Sequence, residues 1–300
     1  MVYTVTFNPA LDYVMKLKNL SDRDINRTES EELYYGGKGI NVSAILSRLN
    51  IPNIALGFTA GFTGKKLIEM MERDGIKNDF IELSEGFTRI NVKLKFTEEI
   101  DINANGPKIP KEKTDELLLK LKRLNFGDYL VLAGSVPPSL PNDLYGKILE
   151  KLRGNGIKTV VDTTGNQLLN VLKYRPFLIK PNNYELAEIF GEDMDSTEKI
   201  IAYAKKLREM GAVNVLVSRG GDGAVLIDEN GDVHNSKAVA GNLVSSVGCG
   251  DSMVAGFIAG YIKSGNYTDA FKLSVASSAA TAFSVGLAQA AEIKDIYKNL

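Results

Sequence analysis

Tyr129-Leu130-Val131-Leu132-Ala133 is an uninterrupted apolar run of strand length. A strand with both faces apolar is buried on both sides, as in a parallel sheet covered by helices. Helical periodicity flanks it. Leu117, Leu118, Leu121 and Leu124 mark a helix over 111–124 before it, and a second helix is expected over 141–153 after it. Further strands are expected near 157–162, 177–180 and 213–218, with helices between them. Alternating β and α elements specify a doubly wound, mostly parallel sheet with helices on both faces. Ligands of such sheets bind at the carboxyl ends of the strands.

The N-terminal part is organised differently. Val2 to Phe7 reads as a strand stopped by Asn8-Pro9, and residues 12–35 are polar and irregular. Gly36-Gly37-Lys38-Gly39 then leads into a helix striped by Val42, Ile45, Leu46 and Leu49. Thr88 to Phe96 alternates strictly, with Arg89, Asn91 and Lys93 on one face and Ile90, Val92 and Leu94 on the other. Such a strand is half buried and antiparallel in character. It is expected to form a small β lid from residues 12–33 and 88–107, inserted in a single α/β domain spanning 1–300. Val225-Leu226-Ile227 and Val233 to Val239 read as a late antiparallel addition.

Composition removes several function classes. Basic and acidic residues number 36 and 37, so nothing favours nucleic acid or an anionic membrane as partner. The N-terminus lacks the charged and apolar regions of a signal peptide, and no apolar stretch is long enough to span a membrane. The single cysteine, Cys249, excludes an intrachain disulfide and suits a cytoplasmic location. With one histidine, His234, a zinc site or a Ser-His-Asp triad is not supported, and His234 reads as a surface residue entering a strand. Catalysis therefore falls to carboxylates, lysines, arginines and backbone dipoles.

Two glycine-rich helix starts carry the first chemical signal. Gly248-Cys249-Gly250-Asp251 precedes an apolar helix with Val254, Phe257, Ile258 and Tyr261 at helical spacing. A helix N-terminus offers unpaired N–H groups and positive potential to an anion, and glycines allow close approach. Asp251 is placed to accept a proton from an attacking hydroxyl. Gly36-Gly37-Lys38-Gly39-Ile40-Asn41 repeats the arrangement with an added ammonium. Gly61-Phe62-Thr63-Gly64-Lys65-Lys66 is not a P-loop, since the first glycine and the Ser/Thr after the lysine are missing. Arg27, Arg89 and Lys93 could meet phosphate. Asn182-Asn183-Tyr184-Glu185, after the strand ending at Lys180, could hold Mg²⁺ through water or simply cap a helix; Asp162 is a similar candidate.

Taken together, these segments resemble the ribokinase-like, PfkB-family carbohydrate kinases across the whole chain. Gly248-Cys249-Gly250-Asp251-Ser252-Met253 is similar to the family's C-terminal signature, with Cys249 where alanine is usual. Gly36-Gly37-Lys38-Gly39-Ile40-Asn41-Val42 is similar to its N-terminal signature, and Asn182 and Glu185 match its magnesium-associated motif. Asn8-Pro9-Ala10-Leu11-Asp12, Thr88 to Lys93 and Leu132 to Pro138 resemble the branch holding 1-phosphofructokinases and tagatose-6-phosphate kinases.

The resemblance implies a three-layer α/β/α sheet with a β lid, and ATP-dependent phosphorylation of fructose 1-phosphate at its 6-hydroxyl. The alternatives it leaves are tagatose 6-phosphate, fructose 6-phosphate as in the minor-type enzyme, or a nucleotide-binding regulatory homologue. It implies that Asp251 is the base and that Gly248, Cys249 and Gly250 form the anion hole. Asp12, Gly37 and Asn41 would hold the sugar. Lys38, Arg27 and Arg89 would meet its phosphate, with Asn91, Lys93 and Ser135 as further substrate contacts. Asn182, Ser218, Gly220 and Gly223 would border ATP, and Glu185 would position Mg²⁺. A homodimer through the lid is also implied. The helix N-terminus is expected to lower the Asp251 pKa.

Overall fold

The computed structural model describes all 300 residues. A nine-stranded sheet runs in the spatial order Val233–Ser236, Ala224–Ile227, Asn214–Ser218, Leu178–Ile179, Lys158–Asp162, Tyr129–Ala133, Val2–Thr6, Asn53–Ala60 and Ile81–Leu83. All neighbours pair parallel except at the Ala224–Ile227 hairpin, which closes one edge antiparallel.

Tyr129–Ala133 lies near the middle, as its run of apolar residues requires. Leu130 and Leu132 point into one buried layer, packed by Leu117, Ile148, Leu168 and Leu207. Tyr129, Val131 and Ala133 point into the other, packed by Val42, Phe257, Ile258 and Ala276. The period of two thus feeds two cores, one on each face. Strand order reverses beside Val2–Thr6, whose neighbours are Asn53–Ala60 on one side and Tyr129–Ala133 on the other. The carboxyl ends around this reversal form the crevice where the site is expected.

A second sheet of four strands, in the order Thr28–Gly36, Ala10–Leu17, Arg89–Lys95 and Glu99–Ile102, stands over those carboxyl ends. Two readings of the sequence are corrected here. Residues 12–35 are mostly strand, not irregular coil, and the lid sheet starts at Ala10 and reaches Gly36. Thr28–Gly36 escaped the pattern because it is an edge strand exposed along both faces, and Ala10–Leu17 because Asp12 and Lys16 break its apolar run without a clean alternation. The Arg89–Lys95 strand is antiparallel to Glu99–Ile102 but parallel to Ala10–Leu17, so it is mixed. Its predicted two-faced character holds. Asn91 pairs with Asp12 across the strands, while Ile90 packs into a small core under the lid. No helix is long and apolar enough to cross a membrane.

Candidate active site

The helix Cys249–Ser264 begins at Gly248, whose φ of 80° is left-handed and unfavourable for any residue with a Cβ. This turn places Asp251 in the first helical turn, only 6% exposed. The second glycine-rich start is the helix Lys38–Arg48. The two meet, because Asn41 Nδ2 donates to Asp251 Oδ2 at 2.8 Å.

A charged cluster lies against this junction. Asp162, at the end of its strand, is 2% exposed. Its Oδ2 is 3.1 Å from Lys38 Nζ and its Oδ1 3.5 Å from Lys180 Nζ. A Cβ on Gly250 would lie 3.1 Å from Lys180 Nζ, so that ammonium sits directly over the helix start. Lys180 was not singled out in the sequence. The legible signal was a lysine directly after the buried strand Leu178–Ile179 at the sheet's carboxyl edge.

The electrostatics correct one expectation. Burial and the neighbouring Asp162 carboxylate push the Asp251 pKa up to about 6, against the pull of Lys38, Asn41 and Lys180. Desolvation outweighs the favourable helix terminus. Burial opposes charge on Asp162 too, but Lys180 and Lys38 hold its carboxyl below the usual range. Burial likewise works against Lys38, and Asp162 and Asp251 outweigh it and raise its pKa. Burial, then Asp251, drives the Cys249 thiol up to about 11, so it is a neutral filler.

The sugar-side candidates gather under the lid. Asn91 Nδ2 donates to Asp12 Oδ1 at 2.8 Å, and Asn91 Oδ1 is buried with no protein partner. A cleft of about 370 Å³ is lined by Asp12, Asn41 and Lys93 together with Val247 and Gly286. Gly37 caps the helix Lys38–Arg48 beside it. Gly134 lies beside the Lys38 stem, and Ser135, next in the chain, is exposed and does not line this cleft. Arg89 is partly committed, as its Nε donates to Asn8 O at 3.1 Å and its Nη1 to Ala104 O at 3.2 Å. Burial, opposed by Asp12, lowers its pKa. Lys93 is paired with Asp101 at 2.9 Å. Arg27 is not brought in. It stands exposed between the two lid strands at the end farthest from Ala10 and Gly36, and within one chain it touches none of the other candidates.

On the other side of Asp251, Asn182 and Glu185 form a reciprocal capping box, with Asn182 N donating to Glu185 Oε2 and Glu185 N to Asn182 Oδ1, both at 2.8 Å. Asn182 also bridges to Ser218, which leads into the turn Gly220–Asp222 and then Gly223. Asn182, Ser218 and the turn that follows Ser218 are thus neighbours at the carboxyl end of the sheet. Asp162 is ion-paired to two lysines rather than free for a metal. His234 bonds Asp228 at 2.9 Å at the sheet edge, a structural role.

Comparison with known proteins agrees with this geometry. The profile of the pfkB family carbohydrate kinases matches residues 5–294. A Bacillus subtilis 1-phosphofructokinase is 45% identical over 95% of this chain and 93% of its own length. A Bacillus licheniformis D-tagatose-1-phosphate kinase is 36% identical over 98% of this chain and 96% of its own. Among solved structures, Arabidopsis thaliana ribokinase superposes with a TM-score of 0.82 at 17% identity, covering 99% of this chain and 98% of that one. At that identity the likeness shows the fold, which is ribokinase-like.

Proposed function

This chain belongs to the pfkB family of carbohydrate kinases, and we propose on that premise that it phosphorylates fructose 1-phosphate at its 6-hydroxyl, giving fructose 1,6-bisphosphate and ADP. It is a phosphotransferase acting on a sugar phosphate, with ATP as donor. The observation that carries the reading is Asp251, buried in the first turn of a helix and held by Asn41 from the opposite glycine loop.

Phosphoryl transfer has a loose transition state, so positioning and charge stabilisation dominate over covalent work. Asp12 and Asn91 offer a carboxylate and an amide to the sugar hydroxyls. The 6-hydroxyl lies against Asp251, which accepts its proton as the new P–O bond forms. The N–H groups after Gly248 and the Lys180 ammonium meet the transferring phosphoryl group. Lys38 bridges the two sides. Arg89 retains Nη2 for the phosphate already on the sugar. Asn182, Ser218, Gly220 and Gly223 border the nucleotide.

The donors present fit a hydrated Mg²⁺ held mainly by phosphate oxygens. Glu185 uses only Oε2 in its cap, and no cluster of three His, Cys, Asp or Glu forms an all-protein cage. Glu185 would position the ion, which when bound would supply charge neutralisation to the transferring phosphate. A homodimer is proposed through the apolar lid face, where Leu33, Ile100 and Ile102 stand exposed. Ile102→Asp would then give a monomer by light scattering.

A second reading, tagatose 1-phosphate, is supported by the D-tagatose-1-phosphate kinase relative. It shares the carbon bearing the phosphate and the 6-hydroxyl acceptor. The deciding assay compares kcat/KM for fructose 1-phosphate, tagatose 1-phosphate, fructose 6-phosphate and tagatose 6-phosphate with MgATP. Fructose 1-phosphate is expected to lead, and preference for either 6-phosphate would overturn the proposal.

A further inference from the structure

Asp162 is a buried charge with no assigned part in the reaction. Its side chain is 2% exposed, and both its cationic partners come from other segments. Lys38 begins a helix on the sugar side, and Lys180 directly follows a strand on the nucleotide side. Lysine carries its charge on a flexible four-carbon stem, so its ammonium is placed only if something holds it. Here one carboxylate holds two. Each ammonium has three donors, and an ion pair with Asp162 leaves the others free for phosphate oxygens. The Gly250 geometry puts the Lys180 head over the helix start.

We propose that Asp162 is a positioning residue for phosphoryl transfer, its buried carboxylate fixing Lys38 and Lys180 at the Gly248–Gly250 turn. This rests on the sugar-phosphate kinase reading above. Asp162 touches neither sugar nor phosphate; it acts through the two lysines. It also sets the charge that Asp251 meets. The charged groups facing Asp251 are Asp162, Lys38 and Lys180, with Asn41 as hydrogen-bond donor and Cys249 beside it on the same helix. Those facing Asp162 are Lys38, Lys180, Tyr145 and Asp251. Two carboxylates and two ammoniums thus balance before any phosphate enters, and each lysine is shared when it does.

The rival role for Asp162 is a metal ligand, for which its Oδ1, buried with no hydrogen-bond partner, would be the acceptor. The two roles give different results in Asp162→Asn. As a positioning residue, the variant loses kcat by about 100-fold, comparable to losing an oriented donor. The acid limb of its kcat–pH profile moves down by about one unit, because the like charge beside Asp251 is gone. Its half-saturating Mg²⁺ stays within about 3-fold of the parent. In a Lys38→Met/Lys180→Met background, Asp162→Asn adds less than about 3-fold, since the groups it acts through are absent. An unmoved acid limb, a Mg²⁺ requirement raised about 10-fold or more, or effects that multiply in the combined variant would each overturn the proposal.

Two measurements keep the result decisive. If Asp162→Asn alone does not fold, Asp162→Asn/Lys180→Met removes one charge of each sign and is compared with Lys180→Met. MgATP titration calorimetry needs no acceptor sugar. Asp162→Asn is expected to weaken MgATP by about 10-fold in the parent and not in the lysine-free background. An inactive parent enzyme on every sugar phosphate would count against the proposed function, while the calorimetric cycle would still decide the role of Asp162.

Discussion

Asn41 and Asp251, 210 residues apart in sequence, are joined by a 2.8 Å hydrogen bond that ties the two glycine-rich helix starts into one site. The amide orients the carboxylate and, as a donor to its charged form, works with Lys38 and Lys180 against the burial and the Asp162 charge that raise the Asp251 pKa.

Asp251→Asn should lose about 10³-fold in kcat with little change in KM, as expected for a base acting only in the transition state. Steady-state kinetics on fructose 1-phosphate measures this. Retained turnover would remove Asp251 from the role.

The same variant should be more stable than the parent at neutral pH. Asp251 has a folded-state pKa of about 6, above its unfolded value of 3.8. For a raised carboxyl the stabilising contribution is full below the unfolded pKa and lost as pH rises through the folded one. Ionised Asp251 therefore costs the fold roughly 1–3 kcal/mol above that window, and asparagine removes the cost. Melting temperatures of both proteins across pH should show the gain at neutral pH and its disappearance near pH 4. A variant less stable than the parent at neutral pH would contradict the burial argument.

Turnover of the parent enzyme should fall as pH drops through about 6, where Asp251 takes up its proton. A kcat–pH profile flat down to about 4.5 would mean the group in the working complex is far more acidic.

Arg89→Ala should raise KM for the sugar phosphate by about 10–100-fold, the value of one or two charge-assisted hydrogen bonds. It should also lower the melting temperature, because the guanidinium holds Asn8 and Ala104. A change in stability with no change in KM would make Arg89 purely structural.

Gly248→Ala should cost both stability and kcat. Its φ of 80° is strained for alanine, and the new Cβ would lie 2.6 Å from Leu287 Cδ2. A penalty of about 1–3 kcal/mol follows from the backbone alone, and movement of the turn displaces the N–H donors. Chemical denaturation and kinetics on the same sample measure the two effects.

Much of this was legible because it rests on local rules. The apolar run at 129–133, the glycine-rich starts and the alternation at 88–96 each specify a local geometry, and their order specifies the sheet. Three features were not legible for non-local reasons. The Asp251 pKa depends on Asp162, which reaches it only after folding. Lys180 looked like an ordinary strand end until the sheet set it against Gly250. The lid strand at 28–36 is an edge strand whose polar residues are exposed along both faces, and the one at 10–17 interrupts its apolar residues with Asp12 and Lys16, so neither shows a clean period of two. The position of Arg27 was not legible for a related reason, since residue type alone could not say which end of the lid it occupies.

The parallel pairing of Ala10 with Arg89 also has a consequence for how the protein comes into being. A parallel pair cannot be closed by a tight turn, and bringing together residues far apart in the chain is slow. On the ribosome, Ala10–Leu17 must wait, half-paired with Thr28–Gly36, until Arg89–Lys95 has been synthesised. During that interval a strand edge stands open, available to another nascent chain. The lid sheet is thus a part of this enzyme exposed to misassembly at birth.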